Sequence, residues 1–163
     1  MGIAKDEKKE KPQEKDIYER AIAFKKKYPM TIAWRIRKHA KIIQQHLNPN
    51  EEVRYVFVGQ KGDNPIDIWD TYLCVLTNKR LLFGKKRIIF GYFFLSITPD
   101  LFNDIKVKQR LIWGVIRIDT LKEVVTMSNI AKGALIEIET NISEYMIREK
   151  RRYGLYSRNE NLE

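Results

Sequence analysis

The sequence predicts an α+β fold in which a pair of N-terminal helices precedes an antiparallel barrel or sandwich of about seven strands, followed by a C-terminal helix. Three observations carry that expectation. A chain of 163 residues with 44% apolar side chains can bury one sizeable core but has no room for a second full domain. Apolar residues between Ile17 and Leu47 recur at helical spacing. After Glu51 the chain turns to short β-branched and aromatic runs, spaced too closely for crossover helices, which favours an antiparallel sheet over a parallel one.

The helical pair opens at Asp16, placed as an N-cap ahead of Ile17, Ala21, Phe24 and Tyr28, and Pro29 ends the pattern by withholding a backbone donor. Thr31 is the expected cap of the second helix. Ile32, Ile36, Ala40, Ile43 and Leu47 then form one apolar stripe, stopped by Asn48 and Pro49, and Arg35, Arg37, Lys38 and Lys41 lie opposite with Trp34 among them.

The strand region begins with Val53 to Gln60, followed by a loop rich in Gly, Asp, Asn and Pro over Lys61 to Pro65. Tyr72 to Thr77 and Arg80 to Phe83 flank Asn78-Lys79, the spacing of a tight hairpin in which Asn tolerates the left-handed conformation. Gly84-Lys85-Lys86-Arg87 reads as the next turn and Ile88 to Leu95 as a strand too apolar for simple alternation. Ile105 to Trp113, Val115 to Ile118, Val124 to Ser128 and Leu135 to Thr140 are further strand runs, with Gly114 and Lys132-Gly133 as turn points. Ile142 to Tyr153 reads as the closing helix, its basic residues Arg148, Lys150, Arg151 and Arg152 set at the end that the helix dipole favours.

The net charge is +10, and its distribution matters more than its total. Residues 17–50 hold eight basic groups against one acidic, while residues 51–147 hold 13 against 12. Electrostatic attraction therefore originates mainly in the helical segment and secondarily in residues 148–163, which add +2, and the strand region is nearly neutral. The organisation expected is a charged tail over 1–15, a basic helical segment over 16–50, the barrel over 51–147, and the end of the last helix with a tail over 148–163.

Catalytic chemistry has no advocate in the sequence. Cys74 stands alone in an apolar run and reads as a small buried hydrophobe. His39 and His46 lack the Cys or clustered carboxylates of a metal site and read as ordinary surface or boundary residues. No glycine-rich phosphate cradle appears. No catalytic residue, metal or cofactor is expected. With no apolar run near the ~20 residues of a membrane span and no apolar leader, a reduced cytoplasmic setting is the simplest expectation.

The run Leu76-Thr77-Asn78-Lys79-Arg80-Leu81-Leu82-Phe83, with more strands after it, resembles the hairpin of bacterial PH-like domains, including the YokE-like group of the PH/GRAM-type barrel superfamily. The resemblance spans roughly residues 51–147. It implies a strongly bent seven-stranded barrel closed at one end by a C-terminal helix, and a scaffold associated with lipid, peptide or protein binding. Phosphoinositide-binding relatives use a basic first hairpin, whereas Gln60 to Asp67 here offers Lys61 together with Asp63 and Asp67.

The resulting expectation is a non-enzymatic module that binds a protein or peptide, with a basic surface that brings it to an anionic membrane such as the inner leaflet. Candidate anionic-surface residues are Trp34, Arg35, Arg37, Lys38 and Lys41, with Lys85, Lys86 and Arg87 as a second set. The plain alternative for both sets is solvated charge that keeps a helix soluble and a turn from aggregating. The rival functions are nucleic-acid binding by residues 17–50 and homo-oligomerisation through a patch at Tyr92, Phe93 and Phe94.

Overall fold

The structure is a computed structural model that describes residues 12–160. Two helices, α1 (Pro12–Lys27) and α2 (Ile36–His46), precede seven strands: β1 (Val53–Lys61), β2 (Thr71–Thr77), β3 (Leu81–Lys86), β4 (Tyr92–Ile97), β5 (Phe102–Gln109), β6 (Trp113–Thr120) and β7 (Val124–Ala131). A long helix, α3 (Leu135–Glu160), ends the described chain. The strands form one antiparallel sheet in the order β4-β3-β2-β1-β7-β6-β5. β1 pairs with β2 along its length but with β7 only at Gln60 and Lys61, so the sheet turns a corner there and curls into a half-barrel.

One core fills the curl and extends beneath the helices. Phe57, Phe83, Phe102, Leu73, Ile116 and Met127 are fully buried inside it. Leu135, Ile138, Ile142 and Met146 recur at helical spacing on α3 and are buried, which plugs the open end. α2 sets Ile36, Ala40 and Ile43 against β3, each buried isoleucine contributing roughly 1.5–3 kcal/mol. Close approach needs an absent side chain: a Cβ on Gly84 of β3 would stand 2.5 Å from Ile43 Cγ1. Every residue of β2 is buried because core and helices cover its two faces.

Several sequence expectations need correction. α1 starts at Pro12, so part of the expected tail is helical and Asp16 lies inside the helix, where its carboxylate accepts from Arg20 Nε at 2.9 Å. The rest of the expected tail, residues 1–11, lies outside the described residues. Thr31 caps nothing. Residues 31–34 run as a non-helical strap: the Ile32 N–H donates to the Asn129 carbonyl at 2.9 Å, and Thr31 Oγ1 accepts from the Ala131 N–H at 2.9 Å. α2 begins only after Arg35, which is held left-handed at φ 53°.

The hairpin at Thr77 to Arg80 forms, yet Asn78 is not left-handed; Thr77 Oγ1 accepts from the Lys79 and Arg80 N–H groups and closes the turn instead. β3 continues through Lys86, so the turn falls on Arg87 to Gly91 rather than on Gly84 to Arg87. Ile88, Ile89 and Phe90 are therefore turn residues, and β4 starts at Tyr92. Gly114 is no turn point: it sits within β6, where a Cβ would meet Leu135 Cδ1 at 2.5 Å. Leu135 to Thr140, read as a strand, is the first part of α3.

Candidate functional site: a cationic and apolar cleft between two loops

The β1–β2 loop and the β3–β4 turn stand side by side and enclose, with the strap before α2, a cleft of about 840 Å³. Two tryptophans form one wall. The strap sets Trp34 there through its N–H, which donates to Thr71 Oγ1 at 2.9 Å, and through Nε1, which donates to the Ile68 carbonyl at 2.9 Å. Its ring lies 6.1 Å from that of Trp69 at 24°, and both rings remain half-exposed or more. Ile88, Ile89 and Phe90 also line the cleft, with exposures of 70%, 79% and 83%. Ile66, in the β1–β2 loop, is 84% exposed.

The rest of the lining is basic. The left-handed turn at Arg35 sends its guanidinium to the carbonyls of Lys86 and Arg87, at 3.4 and 3.5 Å. Lys85 is ion-paired with Asp70, and burial together with the Lys61 and Arg87 charges lowers its pKa. Arg35, Lys86 and Arg87 consequently supply the cleft's cationic character, while Asp70 is matched by Lys85.

His39 closes the floor. β2 pairs with β3 only as far as Gly84, leaving the Lys86 N–H to donate to His39 Nδ1 at 2.8 Å. Burial, then the charges of Arg35 and Lys85, outweigh a hydrogen bond to the Trp34 backbone and lower the His39 pKa to about 4. The expected surface histidine is thus a buried, neutral acceptor, 3% exposed.

The remaining sequence candidates divide. Arg37, Lys38 and Lys41 are exposed on α2, with the Arg37 guanidinium 4.1 Å from the Tyr18 ring centroid, whereas Trp34 and Arg35 precede the helix and belong to the cleft. The expected single basic face carrying Trp34 does not exist as such. Lys85 and Lys86 are strand residues, and of the second basic set only Arg87 lies in the turn. Tyr92, Phe93 and Phe94 do not make one patch. Phe93 packs on Tyr72 with centroids 5.6 Å apart, while Phe94 stacks on His46 at 4.0 Å.

Three other cations of the helical segment are engaged, Arg20 with Asp16, Lys27 with Glu137, and Lys25 with the carbonyls of Pro29 and Thr31, while Lys26 is exposed. Cys74 is buried as expected, and burial pushes its thiol pKa up. Among the described residues no three His, Cys, Asp or Glu side chains gather as metal ligands, and no helix is long and apolar enough to cross a membrane. Sequence reasoning missed Trp69, Ile66 and His39. The signal available for the first two was large apolar residues inside a loop otherwise composed of Gly, Asp, Asn and Pro.

Residues 47–144 match the sequence profile of the family described as Bacterial PH domain. The chain belongs to the bacterial PH domain family. This PH domain is also similar to two solved structures. One is a pleckstrin homology domain from Shewanella amazonensis SB2B, at 16% identity, covering 64% of this chain and 82% of that one with a TM-score of 0.44. The other is a DUF1696 family protein with a pleckstrin-homology domain from Shewanella loihica PV-4, at 13% identity, covering 66% and 86% with a TM-score of 0.44. No curated protein matches. PH domains are generally non-catalytic binding modules. Trp34 and Arg35 fall outside the matched span, so the cleft joins the matched barrel to the segment that precedes it.

Proposed function

We propose that this PH domain is a non-enzymatic module, resident in the cytoplasm, that docks reversibly on the anionic inner face of the membrane through its β1–β2 and β3–β4 loops. One observation carries the reading: Trp69, Ile88, Ile89 and Phe90 stand 70% or more exposed on two loops and line one cleft with Arg35, Lys86 and Arg87. Large apolar side chains grouped at loop tips have no use in water. Each of Ile88, Ile89 and Phe90 gains roughly 1.5–3 kcal/mol on full transfer from water. Each cation near an anionic bilayer adds about 1 kcal/mol. Attachment to a membrane takes both kinds of signal, and this face offers both.

Flotation with phosphatidylcholine vesicles, with and without phosphatidylglycerol, tests the proposal. Co-flotation only with the acidic vesicles is expected, and its loss is expected in Ile89→Ser and in Lys86→Glu with Arg87→Glu. Equal absence of binding to both vesicle types would overturn the proposal.

A protein partner has a separate place to bind. β4 ends the sheet, and Tyr92–Ile97 contains neither a charged residue nor proline, the features that ordinarily guard an edge strand. A second copy or an extended peptide can pair there. Light scattering that finds only monomer across concentration removes the self-pairing form of this reading.

A further inference from the structure

Insertion of loop tips into a bilayer requires only that they project. Here they also enclose a hollow, and its shape and chemistry call for an occupant that a flat surface does not provide. Trp34 and Trp69 share its lining with Ile88, Ile89 and Phe90, and basic and other polar side chains complete it. Its volume of about 840 Å³ lies within the roughly 300–1,000 Å³ typical of small-molecule sites.

We propose that this cleft holds one long-chain anionic amphiphile, its alkyl chain between the tryptophan wall and the Ile88–Phe90 turn and its head against Arg35, Lys86 and Arg87. The proposal rests on the membrane reading and narrows it from a surface to a molecule. Charge complementarity selects an anionic head, because Asp70 is matched by Lys85 and leaves three cations beside the apolar walls. Half of the tryptophan wall is held in place: the Nε1 bond to the Ile68 carbonyl fixes the Trp34 ring, so that side chain loses little freedom when a chain enters. His39, kept neutral by burial, adds no further charge at the floor.

The site predicts binding to monomers, which bilayer insertion alone does not. The full chain carrying Trp113→Phe leaves Trp34 and Trp69 as its only tryptophans, and dodecyl phosphate below its micelle-forming concentration is the probe. Dodecyl maltoside of the same chain length and inorganic phosphate isolate the chain and the head, and dodecanoate distinguishes carboxylate from phosphate. A saturable one-to-one change in tryptophan fluorescence with dodecyl phosphate is expected, at least tenfold weaker with the maltoside, and at least tenfold weaker in Ile89→Ser and in Lys86→Glu with Arg87→Glu. These positions are exposed or half-buried at the cleft, and far-UV circular dichroism confirms that each variant is folded.

No saturable response to the monomer, while the protein still floats with acidic vesicles, would overturn the amphiphile site and leave membrane docking standing. Saturation unaffected by the charge reversals would overturn it equally. Failure of both monomer binding and flotation would remove the membrane reading as well.

Discussion

The Trp34 ring lies 6.1 Å from the Trp69 ring, and one of the pair comes from outside the span matched by the family profile. The segment before the matched span therefore contributes one of the two tryptophans of the cleft. The two do different work. Trp34 is hydrogen-bonded at both its N–H and its Nε1, whereas Trp69 is 70% exposed.

Trp34→Ala is expected to lower stability by about 1–2 kcal/mol through the lost Nε1 bond and packing, since its backbone N–H remains. Trp69→Ala should stay within about 0.5 kcal/mol of the parent, as an exposed position does. Both should weaken vesicle binding. Urea unfolding paired with flotation separates the two effects.

His39 makes stability sensitive to mild acid. The unfolded chain takes up the proton near the ordinary pKa of 6.5 and the folded chain only near about 4, so the neutral-state contribution is complete above the first value and is lost as pH falls toward the second. The full window is worth about 3 kcal/mol. His39→Asn, which keeps an acceptor for the Lys86 N–H, should flatten the unfolding free energy between those two pH values; an unchanged slope would refute the assignment.

Glu51 is buried as well, and it answers to lower pH. Burial raises its pKa, but Arg80, the Asn48 N–H and the Thr77 hydroxyl together prevail and lower it. Its stabilising contribution is present above the ordinary carboxylate pKa of about 4.3 and is lost as pH falls through the lowered folded value. Glu51→Ala leaves Arg80, whose side chain is 17% exposed, without its carboxylate and should cost on the order of 3–5 kcal/mol in urea unfolding at neutral pH.

Gly84→Ala should destabilise by about 1–3 kcal/mol, because the new methyl meets Ile43 across the α2–β3 contact. Ile43→Ala opens a cavity at the same spot. The double variant should be more stable than the sum of the singles by about 0.5 kcal/mol or more, a coupling that a double-mutant cycle measures directly.

The sequence signals were strongest where pattern and packing agree. The strands around Val56, Leu73, Leu82, Ile116 and Val125 were legible because a curled sheet buries β-branched and aromatic runs. Misreadings arose where two periods coexist. Ile136-Glu137-Ile138-Glu139 alternates like a strand, yet Leu135, Ile138, Ile142 and Met146 also align on one helix face, and tertiary burial chose the second pattern. Ile88 to Phe90 looked like strand because it is apolar, but the pairing of Lys86 with Tyr92 leaves no room to include it. The cleft was half legible: Arg35, Lys86 and Arg87 stood out as charge. Nothing in the local pattern said that Trp34 would leave its helix to meet Trp69, since that depends on the strap's bonds to Asn129 and Ala131, nearly a hundred residues away.

Depth-dependent fluorescence quenching tests the docking face most directly. In the variant Trp34→Phe with Trp113→Phe, Trp69 is the sole reporter, and it is mixed with phosphatidylglycerol-containing vesicles whose phosphatidylcholine chains are brominated. Strong quenching of Trp69 alongside co-flotation is predicted. Co-flotation with Trp69 unquenched would place the membrane against some other face and contradict the account.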